Sequence, residues 1–213
     1  MTFRGQDLGG SPLSGLVFVR CDLRDAGLAK IERLEDAKTC DLRKARLSGC
    51  TLGDLEGCDF RGAALDAGTL EELSECRFDR AKLSGVQLCG DQEGCVYDQA
   101  MLDRAECAYA TLTACSFTKA SLRSVALEGV RFEGCSLRGA DLRGASLHAG
   151  SEPVVFHDCD LRAADFRDAT LTSVRFEACR LEGARFGGAT VVEPEFVGCD
   201  PAGALDLDWQ PAS

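Results

Sequence analysis

Carboxylates are the side chains with which this chain could most readily recognise a partner, and they are concentrated in four short segments. Residues 29–39, 53–57, 71–75 and 89–94 contain ten acids: Glu32, Glu35, Asp36, Asp54, Glu56, Glu71, Glu72, Glu75, Asp91 and Glu93. The whole chain of 213 residues has 35 acidic and 24 basic residues and a net charge of −11. This excess argues against direct binding to nucleic acid or to an anionic membrane surface, and it favours basic partners.

Side chains for catalysis or metal binding are few. The two histidines, His148 and His157, are too few for a standard zinc site. Ser151 is close to His148, but no orienting acid or nucleophile elbow frames the pair. The sequence contains no Walker loop and no dinucleotide fingerprint. We therefore expect a non-enzymatic protein without catalytic residues, metal or cofactor.

A five-residue repeat must position these side chains. An apolar residue recurs at every fifth position from Tyr97 to Leu147, and again from Phe156 to Phe196. Shorter runs in the same register cover residues 8–28, 42–52, 60–70 and 78–88. A helix repeats its apolar residues every three or four positions and a strand every two, so the period belongs to neither. The unit reads small, polar, Leu or Phe, polar, polar, as in residues 140–144.

This unit resembles the pentapeptide repeat, and the resemblance covers nearly the whole chain. It implies an all-β fold: a right-handed, quadrilateral β-helix in which each pentapeptide forms one side and four complete a coil. The central Leu or Phe and the small residue two positions before it then point inward. Coils must stack, because a single coil cannot bury so narrow a column. We predict one domain over residues 1–213 with about ten coils, a short loop near 148–155 and a short cap at 202–213.

The cysteines provide an independent check on this fold. Ten of the thirteen occupy the small inward position once per coil, at residues 21, 40, 58, 76, 95, 115, 135, 159, 179 and 199. In stacked coils their Cβ vectors run parallel, which does not suit disulfides, and their thiols do not converge as zinc ligands must. We predict a buried ladder of free thiols. By register Cys50 and Cys107 also point inward, whereas Cys89 is expected to be exposed.

The ten acids fall where the repeat loses residues. If the cysteine side is counted as the first, coils of 18 and 19 residues are shortened on the fourth side. Stacking predicts that these acids form one stripe along the N-terminal half of the rod. A regular anionic rod is what a DNA-binding groove recognises when it neutralises phosphates. The alternative is that acidic loops keep the solenoid soluble and prevent its edges from pairing.

Two further regions are candidates for function. Residues 148–155 add four residues to one coil and predict an outward loop with His148, Ser151, Glu152 and Pro153, either functional or a tolerated insertion. At the C-terminal end, Leu205, Leu207 and Trp209 are expected either to cover the last coil or to pack in a two-fold homodimer interface.

Within the family, the chain resembles the Qnr-type, mycobacterial and albicidin-resistance proteins in length, continuity of the repeat and acidity. Those proteins resemble B-form DNA in shape and charge and bind DNA gyrase or topoisomerase IV where duplex DNA would lie. The resemblance implies a DNA mimic that modulates DNA gyrase or topoisomerase IV and protects it from a topoisomerase poison.

The sequence also predicts where the protein is located and allows an alternative function. The N-terminal segment lacks the features of a signal peptide, and no apolar run reaches the about 20 residues that cross a bilayer. These features predict a cytoplasmic protein with no membrane contact. The alternative function is a protein-interaction scaffold without DNA mimicry, which would use exposed apolar residues: Val17, Val19, Val155, Val192 and Val197.

Overall fold

Short parallel strands stack into two long sheets. The computed structural model describes residues 1–11, 15–29 and 31–208. One sheet has ten strands: β1 Phe18–Val19, β3 Ala37–Lys38, β5 Leu55–Glu56, β7 Leu73–Ser74, β9 Gln92–Glu93, β11 Thr111–Thr113, β13 Arg131–Glu133, β15 Val155–His157, β17 Arg175–Glu177 and β19 Glu195–Val197. The other has nine strands: β2 Arg33–Glu35, β4 Thr51–Gly53, β6 Thr69–Leu70, β8 Gln87–Leu88, β10 Glu106–Ala108, β12 Ala126–Glu128, β14 Ser146–His148, β16 Thr170–Thr172 and β18 Thr190–Val192.

The remaining two sides of each coil meet their neighbours through single parallel bridges. On the first side, Asp22 pairs with Asp41, and on the second side Arg46 pairs with Ala64; equivalent bridges continue along the rod. The nine-stranded sheet is the third side and the ten-stranded sheet is the fourth. The architecture is therefore the four-sided β-helix that the repeat predicts, with about ten stacked coils.

Aromatic rings stack inside the rod at the spacing of the strands. On the first side, Phe60, Phe78, Tyr97 and Phe117 form a column with centroid separations of 4.8 to 4.9 Å and interplanar angles of 4 to 6°. A second column occupies the fourth side at Phe132, Phe156, Phe176 and Phe196. This distance is the ordinary separation of hydrogen-bonded strands. The Leu or Phe at the centre of each repeat thus fixes the core, as predicted.

The cysteine ladder is buried and reduced. All thirteen cysteines are free, and only Cys89 is exposed. Each ladder thiol after the first donates a hydrogen bond to a fourth-side carbonyl one coil back. In Cys135, for example, Sγ lies 3.0 Å from the Leu112 carbonyl oxygen, and in Cys179 Sγ lies 3.1 Å from that of Phe156. Cys107 is buried on the third side, and burial raises the pKa of its thiol to about 12.

The shortened coils lose their residues at the corner between the third and fourth sides. The inward residues that flank this corner, Leu52 and Leu55, are three positions apart, whereas Cys107 and Leu112 are five apart. In the short corners the turn is made by Asp36 and Asp54, with φ of 53° and 52°. Aspartate tolerates this left-handed conformation better than most side chains, so these two acids have a structural reason for their position.

A polar contact inside the core marks the change from short to long corners. Gln92 lies four positions after Leu88 and is 1% exposed. Among the described residues it is the only polar side chain that is buried. Its amide nitrogen donates to the carbonyl oxygens of Glu71 and Gly90, and its amide oxygen accepts from the Tyr97 hydroxyl at 2.8 Å. Burial raises the pKa of Tyr97 well above its usual value, so the phenol remains a donor.

Partly buried apolar residues close the two ends. Phe3 and Leu8 pack against the core at the N-terminal end, and Leu207 packs against it at the C-terminal end. A 3₁₀ turn at Pro201–Gly203 replaces part of the last coil, with the Asp200 carboxylate accepting from the Ala202 amide. Leu205 is 49% exposed. Trp209 lies outside the described residues. Among the described residues, no helix is long and apolar enough to cross a bilayer.

Candidate partner-binding surface

An acidic groove runs along the fourth side in the N-terminal half of the rod. It has a volume of about 590 Å³ and is lined by six of the ten predicted acids: Asp36, Asp54, Glu56, Glu72, Asp91 and Glu93. The register of the sheet aligns these side chains in two rows, one before and one after each inward residue of the strands. Asp36 and Asp91 are three coils apart, so the groove is about 15 Å long at about 4.8 Å per coil.

The prediction of a single stripe is wrong for Glu35 and Glu71. Glu35 belongs to β2 on the third side, and Glu71 follows β6 on the same side. Arg33 binds both carboxylates, with its Nε 2.6 Å from Glu35 Oε2 and its Nη1 2.7 Å from Glu71 Oε1. Because this guanidinium bridges two coils, it holds the two acids away from the groove and neutralises much of their charge.

Glu32 and Glu75 also lie outside the groove. Glu32 is exposed just before β2, and Glu75 is exposed just after β7, at a corner with φ of 53°. Glu32 therefore lies at the start of the third side, and Glu75 lies at the corner between the fourth side and the first. The acids of the four shortened segments divide into a groove of six, a pair bound by Arg33 and two residues outside the groove at different corners.

Inside the groove, two acids have partners. Glu56 Oε2 accepts from Lys38 Nζ at 2.7 Å, and this hydrogen bond raises the pKa of Lys38. Asp91 Oδ1 accepts from the Thr111 amide at 2.8 Å. Within the described residues, no hydrogen bond or ion pair engages the carboxylates of Asp36, Asp54, Glu72 and Glu93. Four exposed carboxylates are thus available to a cation from a partner.

On the first and second sides, several acids are neutralised by an arginine of the same repeat. Arg43 donates from Nε and Nη2 to the two carboxylate oxygens of Asp41 at 2.9 and 2.7 Å, and Arg143 repeats this contact with Asp141. The hydrogen bonds from these guanidinium groups hold the pKa values of Asp41 and Asp141 below their usual range. The groove differs in that four neighbouring carboxylates have no arginine or lysine partner among the described residues.

The predicted loop projects from the same corner as the groove. His148 is the last residue of β14, and Ser151, Glu152 and Pro153 are exposed. Next to the loop, Tyr109 Oη donates to Glu128 Oε1 at 2.5 Å, and Glu128 Oε2 lies 3.8 Å from His148 Nε2. Sequence reasoning missed Tyr109. A signal was available, because a tyrosine stands at a polar position of the repeat.

Apolar exposure does not form the single patch that a scaffold was expected to use. Val155 is buried, contrary to expectation, at the start of β15 beside Val154, which is also buried. Val17 and Val19 are exposed at the N-terminal end, whereas Val192 and Val197 are exposed at the C-terminal end. These pairs lie at opposite ends of the rod.

A metal site finds no support in the side chains. Across residues 1–11, 15–29 and 31–208, no three His, Cys, Asp or Glu side chains lie together as a metal site requires. His157 is on the fourth side, 3.5 Å from Glu177 Oε2, and not beside His148 on the third side. What the surface offers is a carboxylate row for a basic macromolecule.

Comparison with known proteins gives one family and one fold. A sequence model for the pentapeptide repeat region matches residues 130–204. The crystal structure of HetL, a pentapeptide-repeat protein involved in heterocyst differentiation regulation in the cyanobacterium Nostoc, has a TM-score of 0.65 and 22% identity, covering 92% of this chain and 84% of HetL. QnrB1, a plasmid-mediated fluoroquinolone resistance protein, gives a TM-score of 0.37 and 18% identity over 90% of this chain and 89% of QnrB1. A search of curated protein sequences gives no match.

The family match lies in the C-terminal half, but the features that define the repeat do not stop there. The same inward column and the same small residue two positions earlier continue through the coils before residue 130. The β-helix shared with HetL shows that the coils before residue 130 have the same fold. Residues 130–204 are a pentapeptide repeat region, and the preceding coils continue its five-residue register.

Proposed function

We propose that this protein is a DNA mimic that binds DNA gyrase or topoisomerase IV, modulates the enzyme and protects it from a topoisomerase poison. The observation that carries the proposal is the acidic groove on the fourth side. Its four unpartnered carboxylates form regular rows on a rigid rod, whereas many acids of the first and second sides are paired with arginine. Rows of fixed negative charge are what a phosphate-binding surface recognises.

The mechanism is competition for a basic surface. Lysine and arginine side chains that normally contact DNA phosphates would pair with the groove, and the rod would occupy the place of duplex DNA. The chain's resemblance in length, continuity and acidity to gyrase-interacting proteins makes gyrase and topoisomerase IV the first partners to test. Such a role requires binding and no catalysis, and it places the protein with its target in the cytoplasm.

The test is a supercoiling and cleavage assay with a groove variant and a matched control. In the groove variant, Asp54→Asn is combined with Glu56→Gln, Glu72→Gln and Glu93→Gln. The control variant neutralises four acids of the C-terminal half instead: Glu133→Gln, Glu177→Gln, Glu193→Gln and Glu195→Gln. Both lose the same charge, so a non-specific effect of net charge would appear in both.

We expect the wild-type protein to inhibit supercoiling or to reduce poison-stabilised cleavage, with an effect that weakens steeply as salt rises. The groove variant should lose at least about tenfold in potency, as expected for contacts worth about 1.4 kcal/mol or more in total. The control should retain potency. No effect of wild-type protein at micromolar concentration on gyrase and topoisomerase IV from several bacteria would refute the proposal.

A protein-interaction scaffold without DNA mimicry is the second candidate. Exposed valines at the two ends of the rod favour it, since apolar side chains are common at protein interfaces. Binding that is insensitive to salt and to the groove variant, but lost with Val192→Asp and Val197→Asp, would support this candidate.

We also propose that the C-terminal end is the homodimer interface. Leu205 is half exposed there, and Leu207 packs only partly against the core. Sedimentation velocity at several concentrations should show a dimer that Leu205→Asp dissociates, and a monomer throughout the micromolar range would refute this point.

A further inference from the structure

We propose that Tyr109 and Glu128 form a clasp that holds the loop at residues 149–153 against the rod, so that the loop and the acidic groove present one preformed surface to the partner. The clasp itself is argued from contacts within this chain. That the partner contacts both elements rests on the proposed function.

The backbone at Tyr109 is the first observation. Tyr109 stands two residues after an inward residue of the third side, with φ of 55°. Residues at the same position of other coils that also have positive φ are polar or small: Asp36, Asp54, Gly129, Ser173 and Glu193. A bulky aromatic residue is unfavourable in this conformation and persists where its surroundings compensate. The side chain must therefore make contacts that stabilise it.

Glu128 supplies these contacts from the next coil. The Tyr109 amide donates to the Glu128 carbonyl oxygen at 2.8 Å, and the Tyr109 hydroxyl donates to the Glu128 carboxylate at 2.5 Å. The tyrosine ring lies across Gly129, where an added Cβ would be 2.7 Å from Cδ1. Gly129 thus leaves the space that the ring occupies, and the other carboxylate oxygen of Glu128 faces His148 at the base of the loop.

The surroundings of Gly150 show that the loop packs directly against Tyr109 and Glu128. A Cβ added at Gly150 would overlap both Tyr109 Oη and Glu128 Oε1. Gly150 does not have a positive φ, so a side chain there would not strain the backbone but would displace the Tyr109 hydroxyl and the Glu128 carboxylate from their contact. On the far side of the loop, the Glu152 carbonyl oxygen would be 3.5 Å from a Cβ at Gly129. The loop therefore packs against the tyrosine, the glutamate and the glycine beneath them.

The clasp also adjoins the groove. Tyr109 is two residues before Thr111, which lines the end of the groove and whose amide is held by Asp91. Tyr109 is 53% exposed, so its ring is available to a partner while its hydroxyl holds the loop. A partner that follows the groove toward the C-terminal half meets this ring and then the loop.

Gly150→Ala in the full chain tests the clasp, with Gly187→Ala as the matched control. An added Cβ at Gly187 would meet nothing nearer than 3.4 Å, and Gly187 also lacks a positive φ. The first readout is the rate at which proteinase K cleaves within residues 149–153, located by mass spectrometry. Thermal unfolding verifies that both variants retain the β-helix.

We expect Gly150→Ala to raise loop cleavage about tenfold, the effect of losing about 1.4 kcal/mol of docking free energy. Gly187→Ala should leave it unchanged. In a Tyr109→Ala background, where the loop is already released, Gly150→Ala should add little. Wild-type cleavage in Gly150→Ala, or an equal added effect in the Tyr109→Ala background, would overturn the clasp.

The second readout is inhibition of gyrase, which separates this proposal from the proposed function. A loss of potency in Gly150→Ala but not in Gly187→Ala supports a shared surface, whereas unchanged potency overturns that part. If the wild-type protein has no effect on gyrase, the proposed function fails. The cleavage result still decides the clasp, because it involves no partner.

Discussion

The fourth side carries different charge in its two halves although the same repeat builds both. In the row before each inward residue, the N-terminal half has four acids, Asp36, Asp54, Glu72 and Asp91. At the same register positions the C-terminal half has Arg131, Val155, Arg175 and Glu195. These arginines pair with acids of the following row, such as Glu133 at 2.7 Å. One half therefore presents a groove of carboxylates, and the other a ladder of ion pairs.

This difference shows how a solenoid separates stability from recognition. The inward positions of both halves obey one rule, because every coil must bury its column on the next. The outward positions carry no such constraint, so charge can be distributed freely along the rod. The corner between the third and fourth sides differs as well: its inward residues are three positions apart in the first half and five positions apart in the second. The charge of the fourth side and the number of residues in this corner both change near Gln92.

The largest expected effect is a loss of stability that is confined to one half of the rod. Phe78→Ala removes one ring from the column between Phe60 and Tyr97. A buried Phe→Ala substitution costs about 3 to 5 kcal/mol, and in a solenoid the loss should act mainly on neighbouring coils. Hydrogen exchange should accelerate in residues 40–115 and remain slow in residues 160–180. Phe176→Ala should give the converse pattern, and uniform acceleration in both variants would show that the halves unfold as one unit.

The junction between the halves should show a strong coupling. Gln92→Leu leaves the Tyr97 hydroxyl buried without a partner, and Tyr97→Phe leaves the Gln92 amide oxygen without its donor. Each single change should lower the free energy of unfolding by about 1 to 3 kcal/mol. The double variant continues the Leu and Phe columns and should be less destabilised than the two changes summed. Urea denaturation measures all three, and simple additivity would contradict the coupling.

Acidification should weaken both halves alike, because the Asp–Arg pairs occur in both. Asp41 and Asp141 have pKa values lowered by hydrogen bonds from Arg43 and Arg143. A lowered pKa in the folded state stabilises the protein above the unfolded pKa of about 3.9, and this contribution is lost as pH falls through the folded pKa. Arg143→Gln should lower the free energy of unfolding slightly at pH 7, and this loss should shrink below about pH 3. Arg138→Gln is the control, since Arg138 has no ion pair among the described residues, and a pH-independent cost would contradict the pairing.

The smallest change in stability is expected when a charged residue of one half is introduced at the same register position of the other half. Glu72→Arg places an arginine in the N-terminal half at the register of Arg131. Because Glu72 is exposed, the free energy of unfolding should change by no more than about 0.5 kcal/mol. Binding to a basic partner should nevertheless weaken, as measured by titration at two salt concentrations. Arg131→Glu is the reciprocal change, and equal binding by the wild type and both variants would show that the charge of this row is irrelevant.

The fold could be predicted almost completely from the sequence. The five-residue register identified the inward residues, and the regular cysteine spacing identified the side to which the ladder belongs. The shortened corners also followed, because each coil of 18 or 19 residues loses residues between the same two sides. These features are readable because stacking places the same demand on every coil.

The surface was less predictable. The sequence places Glu35 and Glu71 in the same segments as the groove acids, and only the three-dimensional register shows that Arg33 reaches both. Val155 stands at an outward position of the repeat, but it is buried at the start of the strand that follows the four-residue insertion. The Tyr109 contacts depend on residues 19 and 41 positions away, the Glu128 side chain and the Gly150 backbone. Periodicity determines which side a residue faces, whereas pairing across coils depends on the individual side chains that meet there.

The cysteine arrangement has a practical consequence for measuring these effects. Twelve thiols are shielded in or against the core, and Cys89 is exposed beside Gly90 and Asp91, at the edge of the groove. A maleimide dye should therefore attach at a single position in the native chain without any engineered cysteine. Fluorescence from that dye would report, in one titration, whether a macromolecule has entered the groove.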